Sequence, residues 1–401
     1  MTGFDDSGRK EVLTDAKPLM LRHDKVHRSH ALRIFLAGAF LYTFTASGYV
    51  WQEDGATRLE VAKNIAFEKS WSISPNWPSR YLVQGKDGRW YSFYGIGQTV
   101  AFLPFVFLGK GVHSLGIGPS LGDSIEFFAS FVNVLWGSAA VAIYYLLVLR
   151  FGYRERTAVL LAAALGLGTI FWPHTREHYD HLQVSFFLLL SSYLIAAPRP
   201  FRLHHGLSGA ALGAAFLTRA DSLLFLPCLV LISMIDNSSQ PLQEKLRRIV
   251  PFLSGFMPFL VVVALYNYLR FESVWETGYG LGISRAHYNF LQGELGSGLY
   301  RMLASPGLGL FPFNPVLLLG LVSLPLLWIR SKRQFFLIAT VVVTYSVFFA
   351  KLDWFMLGTW GPRHLIPVIP FGGGCWSLQY TARIGCIVCQ SSVWQGCFYS
   401  S

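Results

Sequence analysis

The chain has 401 residues, of which 53% are hydrophobic and only 14% are charged. Because soluble globular proteins carry about 25% charged residues, this composition excludes an ordinary soluble domain and indicates an all-α, polytopic integral membrane protein. The net charge of +11 comes from short basic clusters between apolar runs, which is typical of cytoplasmic loops and argues against a nucleic-acid partner.

The N-terminal part predicts a cytoplasmic tail, a first span and a helix at the membrane surface. Residues 1–30 form the basic tail, and Ala31–Val50 is long enough to cross a bilayer. That span brings Glu53 and Asp54 to the outer face. Thr57–Phe67 has small apolar residues at helical spacing with charged residues between them, which suits an interfacial helix.

The remaining chain predicts about ten spans within a membrane domain over 31–371, together with this interfacial helix in a long first outer loop. Phe93–Val112 is interrupted by polar residues and glycines, and we interpret it as interfacial or re-entrant. The other spans are expected at Glu126–Leu149, Thr157–Trp172, Leu182–Ala197, His205–Leu217, Ser222–Ile235, Ile249–Leu269, Leu308–Ile329, Phe335–Ala350 and from Leu365 onward. Within His205–Leu217, Gly209 and Gly213 would allow another helix to approach closely.

In this topology the unusual polar residues collect at the outer face, whereas the inner loops are plainly basic. Acids beside arginines suit a reaction with a general base and an anionic leaving group, and the guanidinium fork matches phosphate. The outer-face positions are Glu53, Asp54, Arg176, Glu177, Asp180, Arg219, Asp221, Glu276, Tyr279, Asp353, Arg363 and His364.

Several stretches resemble one enzyme superfamily. The first-loop segment WQEDGATRLEVAKNIAFEKSW is similar to the first extracytoplasmic loop of GT-C polyprenyl-phosphate-dependent glycosyltransferases, in the protein O-mannosyltransferase and aminoarabinose-transferase branch. Further similar stretches are YSFYGIGQTVAFLPFVFLG, REHYDHLQVSFF, LTRADSLLFLP, RFESVWETGYG, SPGLGLFPFNP and WGPRHLIPVIPF. The resemblance implies sugar transfer from a polyprenyl-phosphate carrier to a lipid, glycan or protein acceptor at the outer face of a bacterial inner membrane.

The resemblance also implies residue roles. Asp54 would be the general base, with Glu53 as second choice, and Asp180 would be the second acidic position, with Glu177 as its alternate. Arg363 would hold the carrier phosphate. The further residues expected to bind the lipid phosphate or the substrate are Arg219, Arg176, His364, Tyr94, Glu276 and Tyr279. No metal cofactor is required, because arginines can neutralise the phosphate.

Simpler interpretations exist for several of these residues. Asp54 could cap the following helix, Glu53 could be solvated, and Arg219 and Arg363 could reach lipid headgroups. Tyr94 and Tyr279 would then be interfacial aromatics. His174, His178 and His181 share one helical face and could bind a divalent metal.

Two other functions and an unusual C-terminus complete the predictions. A transporter or flippase for a lipid-linked or anionic substrate is the main alternative to an enzyme, and a non-catalytic scaffold is the third. Residues 372–401 are rich in Cys, Gly and Ser, include the pair Cys386 and Cys389, and lack a run long enough to span a membrane. We expect either a solvated tail or the loss of a longer C-terminal region.

Overall fold

The computed structural model describes residues 26–78, 81–197, 202–234, 242–281, 291–352 and 359–372. Most of the predicted tail 1–30 lies outside these residues. The same is true of Asp353 and of all but the first residue of the predicted tail 372–401, including its cysteines.

The described chain is mostly helical. Helix α1 covers residues 26–43. The α-helices that follow, in chain order, are α2 Glu53–Glu68, α3 Ile96–Ser114, α4 Leu121–Ala129, α5 Val132–Arg150, α6 Glu155–Leu167, α7 Phe171–Thr175, α8 His181–Ile195, α9 Arg202–Thr218, α10 Leu226–Met234, α11 Leu242–Phe271, α12 Leu295–Leu303, α13 Leu310–Phe313, α14 Val316–Arg330, α15 Lys332–Ala350 and α16 Ile369–Gly372. Two 3₁₀ helices, Ala220–Phe225 and Arg363–Val368, precede α10 and α16.

The first helix is shorter than the predicted span at its C-terminal end. Helix α1 already includes residues 26–30 and ends at residue 43, seven residues before Val50, the predicted end of the first span. Residues 44–52 then connect α1 to α2 without helical structure. The expected helix Thr57–Phe67 is present, but it begins four residues earlier, at Glu53. Glu53 and Asp54 therefore lie in the first turn of α2, and Gln52 rather than Asp54 is the N-cap.

A small β-hairpin interrupts the all-α prediction. Strands β1 (Leu82–Gln84) and β2 (Trp90–Ser92) pair antiparallel, with Val83 opposite Tyr91. Gly88, at φ 78°, supplies the left-handed conformation that the connecting turn requires. Arg270 Nη1, near the end of α11, donates a hydrogen bond of 2.6 Å to the carbonyl oxygen of Ser92. The first loop is thus a folded unit held to α11.

Several predicted spans are broken helices. The run Glu126–Leu149 belongs to α4 and α5, which meet at Ser130 and Phe131. Thr157–Trp172 divides into α6 and α7, and Leu308–Ile329 divides into α13 and α14. Within the described part of the chain, two helical segments are long and apolar enough to cross a membrane, Leu121–Arg150 and Arg247–Phe271. The count of about ten spans therefore stays a prediction.

Helices α9 and α11 pack closely through glycines, as predicted for Gly209 and Gly213. A Cβ atom on Gly209 would lie 1.9 Å from the carbonyl oxygen of Phe252, and one on Gly213 would lie 2.5 Å from the Phe259 ring. Gly255 on α11 makes the reciprocal contact with the backbone of α9. This contact fixes the position of the C-terminal end of α9, from which Arg219 projects.

Candidate active site

A buried carboxylate, Asp180, lies at the centre of a charged cluster. It occupies the N-cap position of α8, and its side chain is only 1% exposed. Arg58 Nη2 donates to one of its oxygens at 2.8 Å, and Arg219 Nη1 donates to the other at 3.1 Å. Burial raises the pKa of Asp180, but the two guanidinium groups lower it more, so the net shift is downward and the carboxylate is ionised.

Arg58 reaches this cluster from α2, which the sequence places at the membrane surface. The side chain is fully enclosed: its guanidinium lies 3.8 Å from the centre of the Tyr94 ring, and Nη1 donates to Gln98 Oε1 at 3.0 Å. Burial lowers the pKa of Arg58, but attraction to Asp180 raises it more, and the net shift is upward. Arg58 is therefore a buried cation inside the protein and does not belong to a solvated helix face.

Glycines allow α2 to approach the segment before α8, and α3 to approach the end of α9. A Cβ on Gly55 would lie 2.4 Å from the Cβ of His178, and a Cβ on Gly97 would lie 2.2 Å from Thr218 Oγ1. Larger residues at Gly55 and Gly97 would push α2 away from the segment before α8, and α3 away from the end of α9. The glycines of the segments EDGATR and YGIGQ therefore let the helix backbones pack closely, in addition to the polar side chains that these segments supply.

On its other side, Arg219 is held by a second acid and a histidine. Its guanidinium contacts both carboxylate oxygens of Asp221 at 3.0–3.2 Å, and Nη2 lies 3.3 Å from His364 Nδ1. His364 is also 3.1 Å from His181 Nε2, and its ring stacks on Phe349. Two carboxylates thus offset the single charge of Arg219.

The segment between α7 and α8 is fixed by buried polar contacts. The Asn133 amide of α5 donates to the carbonyl oxygens of Glu177 and Tyr179 at 2.5 and 2.7 Å. The Glu177 carboxylate lies 3.2 Å from His174 Nε2. Burial raises the pKa of Glu177 to about 7 and lowers that of His174 to about 4, so this pair is close to neutral at moderately acid pH.

Asp54 and Arg363 approach the cluster without being neutralised by it. Among the described residues, no hydrogen bond or ion pair engages the Asp54 carboxylate, which lies one helical turn before Arg58. Arg363, at the start of its 3₁₀ helix, stacks on Tyr179 at 4.1 Å, and its Nε has no hydrogen-bond partner there. Burial raises the pKa of Tyr179 to about 12, and Arg363 and Asp54 both act on this phenol. Of these two charged groups, Arg363 lies directly against the Tyr179 ring.

The tyrosines expected to contact substrate belong to an aromatic group beside this cluster. Phe93 packs against Tyr94 and Tyr279 with ring centres 4.8 and 4.7 Å apart. Tyr94 is buried beneath Arg58 and is not an interfacial aromatic, so that alternative is wrong. Glu276 accepts a hydrogen bond from the backbone of Gly278 at 2.7 Å, within its own loop.

Some predicted residues are not brought together. Arg176 is exposed, and among the described residues no hydrogen bond or ion pair joins it to the Asp180 cluster. The imidazoles of His174, His178 and His181 do not converge on one point: among the described residues, the histidine-containing group whose atoms could share a metal lies elsewhere. The side chain of His174 pairs with Glu177, and that of His181 pairs with His364. The structure thus gives no support to a metal site at this trio.

Arg58, Gln98 and His181 belong to the cluster but are not among the site residues predicted from the sequence. Arg58 follows Asp54 by four residues, so the two share a helix face, and that spacing is the local signal for Arg58. Among the predicted residues, Asp180 and Arg219 contact each other directly. Asp54 lies one turn before Arg58, and Arg363 precedes His364. The catalytic and binding roles of these residues stay predictions.

At the level of sequence, no family model and no curated protein matches the chain. Solved structures do. ArnT from Cupriavidus metallidurans bound to undecaprenyl phosphate is similar with a TM-score of 0.54 and 16% identity, over 86% of this chain and 59% of that one. The apo form of the same enzyme is similar with a TM-score of 0.50 and 15% identity, over 90% and 60%.

A second kind of enzyme shares the fold. The Archaeoglobus fulgidus oligosaccharyltransferase in its apo form is similar with a TM-score of 0.54 and 11% identity, over 89% of this chain and 52% of that one. The chain therefore spans between half and two thirds of the length of these proteins. This chain therefore has the fold of ArnT and of this oligosaccharyltransferase, which is the kind of fold that the predicted resemblance implies.

Proposed function

We propose that the protein is a membrane-embedded glycosyltransferase that moves a sugar from a polyprenyl-phosphate carrier to an acceptor hydroxyl. The observation that carries the proposal is that Asp54 lies one helical turn before Arg58, and Arg363 lies next to His364, so a carboxylate and a guanidinium group both adjoin the Asp180 cluster. The solved structure of ArnT with undecaprenyl phosphate supports a carrier of this chemical class.

In the proposed reaction, the Asp54 carboxylate accepts the proton of the acceptor hydroxyl. The acceptor oxygen then forms a bond to the anomeric carbon, and the bond from that carbon to the phosphate oxygen breaks. The electron pair stays on the carrier phosphate, and the configuration of the sugar inverts. A base must be an available acceptor, and Asp54 meets this condition because no described side chain engages its carboxylate.

The two other charged groups differ in the roles that they can take. Arg363 has an unused Nε and a partly exposed side chain, so it suits the departing phosphate. Arg219 is offset by Asp180 and Asp221, which supports a role in positioning more than in phosphate binding. Asp180 itself is enclosed by two arginines, so we assign it to holding Arg58 and Arg219 in place.

The distribution of charge favours an enzyme over the alternative of a transporter. A transporter is expected to hold its substrate near the middle of the membrane, between broken helices of internal repeats. Here the buried ion pairs join Arg58 of α2 to the N-cap residue of α8 and to the residue that follows α9, so on α8 and α9 the charges lie at helix ends. Localisation in a bacterial inner membrane, with the N-terminus cytoplasmic, is part of the proposal.

The test uses the purified chain in lipid nanodiscs with a radiolabelled polyprenyl-phosphate sugar, and it measures release of the labelled sugar. Asp54→Asn should lower the rate by about 10²–10⁴-fold, the usual contribution of a positioned base. Glu53→Gln, next to it in the same helical turn, is the matched control and should retain most activity. Arg363→Gln should weaken binding of undecaprenyl phosphate, measured by native mass spectrometry. Unchanged release by Asp54→Asn together with unchanged lipid binding by Arg363→Gln would refute the proposal.

A further inference from the structure

Two histidines and a glutamate converge at the start of α1 and α6, away from the candidate active site. His27 and His30 lie one turn apart in α1, and Glu155 is the first residue of α6. One ligand atom from each lies within 4.8 Å of the others, and all three residues are half-buried. His30 Nδ1 is hydrogen-bonded to Glu155 Oε1.

This group is separate from the Asp180 cluster. Helix α5 connects the two regions, since Asn133 near its start holds the segment before α8, and Tyr145 donates to Glu155 Oε1 at 3.2 Å. Twelve residues of α-helix at 1.5 Å per residue place these contacts about 18 Å apart along the axis. No residue of this group takes part in the proposed sugar transfer.

The donor set is suited to one class of ligand. Imidazole nitrogen and carboxylate oxygen bind Zn²⁺ at about 2.0–2.2 Å, and two histidines with one glutamate form a known zinc ligand set that leaves a fourth position for water. Binding would replace the proton shared by His30 and Glu155, and the two side chains would separate slightly to admit the ion. Both are partly exposed, at 32% and 40% of the side chain, so they have room to do so.

We propose that His27, His30 and Glu155 form a zinc site that joins the first helix to α6 at the end of the bundle opposite Asp180. The Tyr145 hydroxyl supports the site from outside the ligand set, because its hydrogen bond orients the Glu155 carboxylate. The ion would anchor α1, which residues 44–52 connect to α2, the helix that begins with Glu53 and Asp54. The site does not depend on the proposed transferase activity.

The test uses the full chain, purified in detergent without a histidine tag and stripped of metal with EDTA. Zinc binding is measured by isothermal titration and by metal analysis after desalting. We expect one zinc per chain, and we expect His27→Gln and Glu155→Gln each to weaken binding by at least about tenfold, since loss of even an outer partner costs about 10–100-fold. His113→Gln, which removes a half-buried histidine at the end of α3, is the matched control and should bind as the wild type does.

His27→Gln is the decisive variant because it leaves the His30–Glu155 contact intact. If that contact is only an ion pair, zinc binding will be absent in the wild type or unchanged in His27→Gln, and either result overturns the proposal. A spectroscopic measurement on the wild type guards against misfolded variants. Co²⁺ added to the stripped protein should give the visible absorption of a four-coordinate site. If the spectrum shows nothing beyond six-coordinate aqueous Co²⁺, the proposed site is refuted.

Discussion

Replacing Asp180 by asparagine should be one of the most damaging conservative changes in the chain. The substitution keeps the size of the side chain but removes the charge that two guanidinium groups share at 2.8 and 3.1 Å. Arg219 keeps its contacts with Asp221, so Arg58 is the residue that mainly loses its compensating charge. Arg58 is 1% exposed, and among the described residues it would keep the Gln98 amide oxygen and the Tyr94 ring as direct partners.

The expected loss follows from this burial. Removing one member of a buried ion pair typically costs about 3–5 kcal/mol, because the other charge stays buried without compensation. We therefore expect Asp180→Asn to lower the free energy of unfolding by about 3–5 kcal/mol. Glu272→Gln, which breaks an exposed pair with Lys86, is the control and should cost less than about 1 kcal/mol.

Denaturant unfolding of the purified protein in detergent can be followed by the fluorescence of its 12 tryptophans. In the background of Arg58→Met, the buried cation is gone, and Asp180→Asn should cost much less than it does alone. This double-mutant cycle isolates the Arg58–Asp180 interaction. If Asp180→Asn costs no more than the surface control, or if its cost is the same with and without Arg58, the two charges are not coupled as the structure indicates.

Three further outcomes are expected. Gly209→Ala should destabilise the protein, because its Cβ would meet the α11 backbone at 1.9 Å. Gly111→Ala is the control: open space surrounds Gly111, so this change should be neutral or stabilising. Equal effects of the two substitutions on thermal unfolding would contradict the packing of α9 against α11. The pKa of Glu177 is raised to about 7, so the protonated side chain stabilises the fold at low pH, and this stabilisation is lost as the pH rises through about 7. The difference amounts to at most about 3 kcal/mol. The free energy of unfolding should therefore be lower at pH 8 than at pH 5, and Glu177→Gln should remove this part of the pH dependence. Cysteines at Asp87 in the hairpin and Lys332 at the start of α15 should be labelled from opposite sides of sealed vesicles, and labelling from one side would refute the predicted topology.

The sequence identified the polar positions of the site better than it identified their partners. Asp54, Asp180, Arg219 and Arg363 stand out because charged residues are rare beside long apolar runs. It could not separate them from Arg176, which belongs to the same pattern but is exposed. Composition and local spacing show which residues are unusual, but not which of them are enclosed by other helices.

Arg58 shows most clearly why the sequence does not reveal which charged residues are buried. Its place in α2, between apolar residues and near other charges, is compatible with a solvated face, and charged residues are almost never fully buried unless paired. Its partner Asp180 is 122 residues away, and nothing local to α2 indicates that contact. The same limit applies to Arg219 and His364, which are 145 residues apart.

The sequence by itself determined the helical character of the chain, the position of most helices and the resemblance of its motifs to one superfamily, because hydrophobic runs and their interruptions are local properties. Tertiary structure alone decided where helices break, that the first loop folds into a hairpin, and which charges become buried pairs. A buried charge is tolerated only where packing supplies its partner. That condition is set by the approach of α2, α8 and α9, and it cannot be read from any one of them.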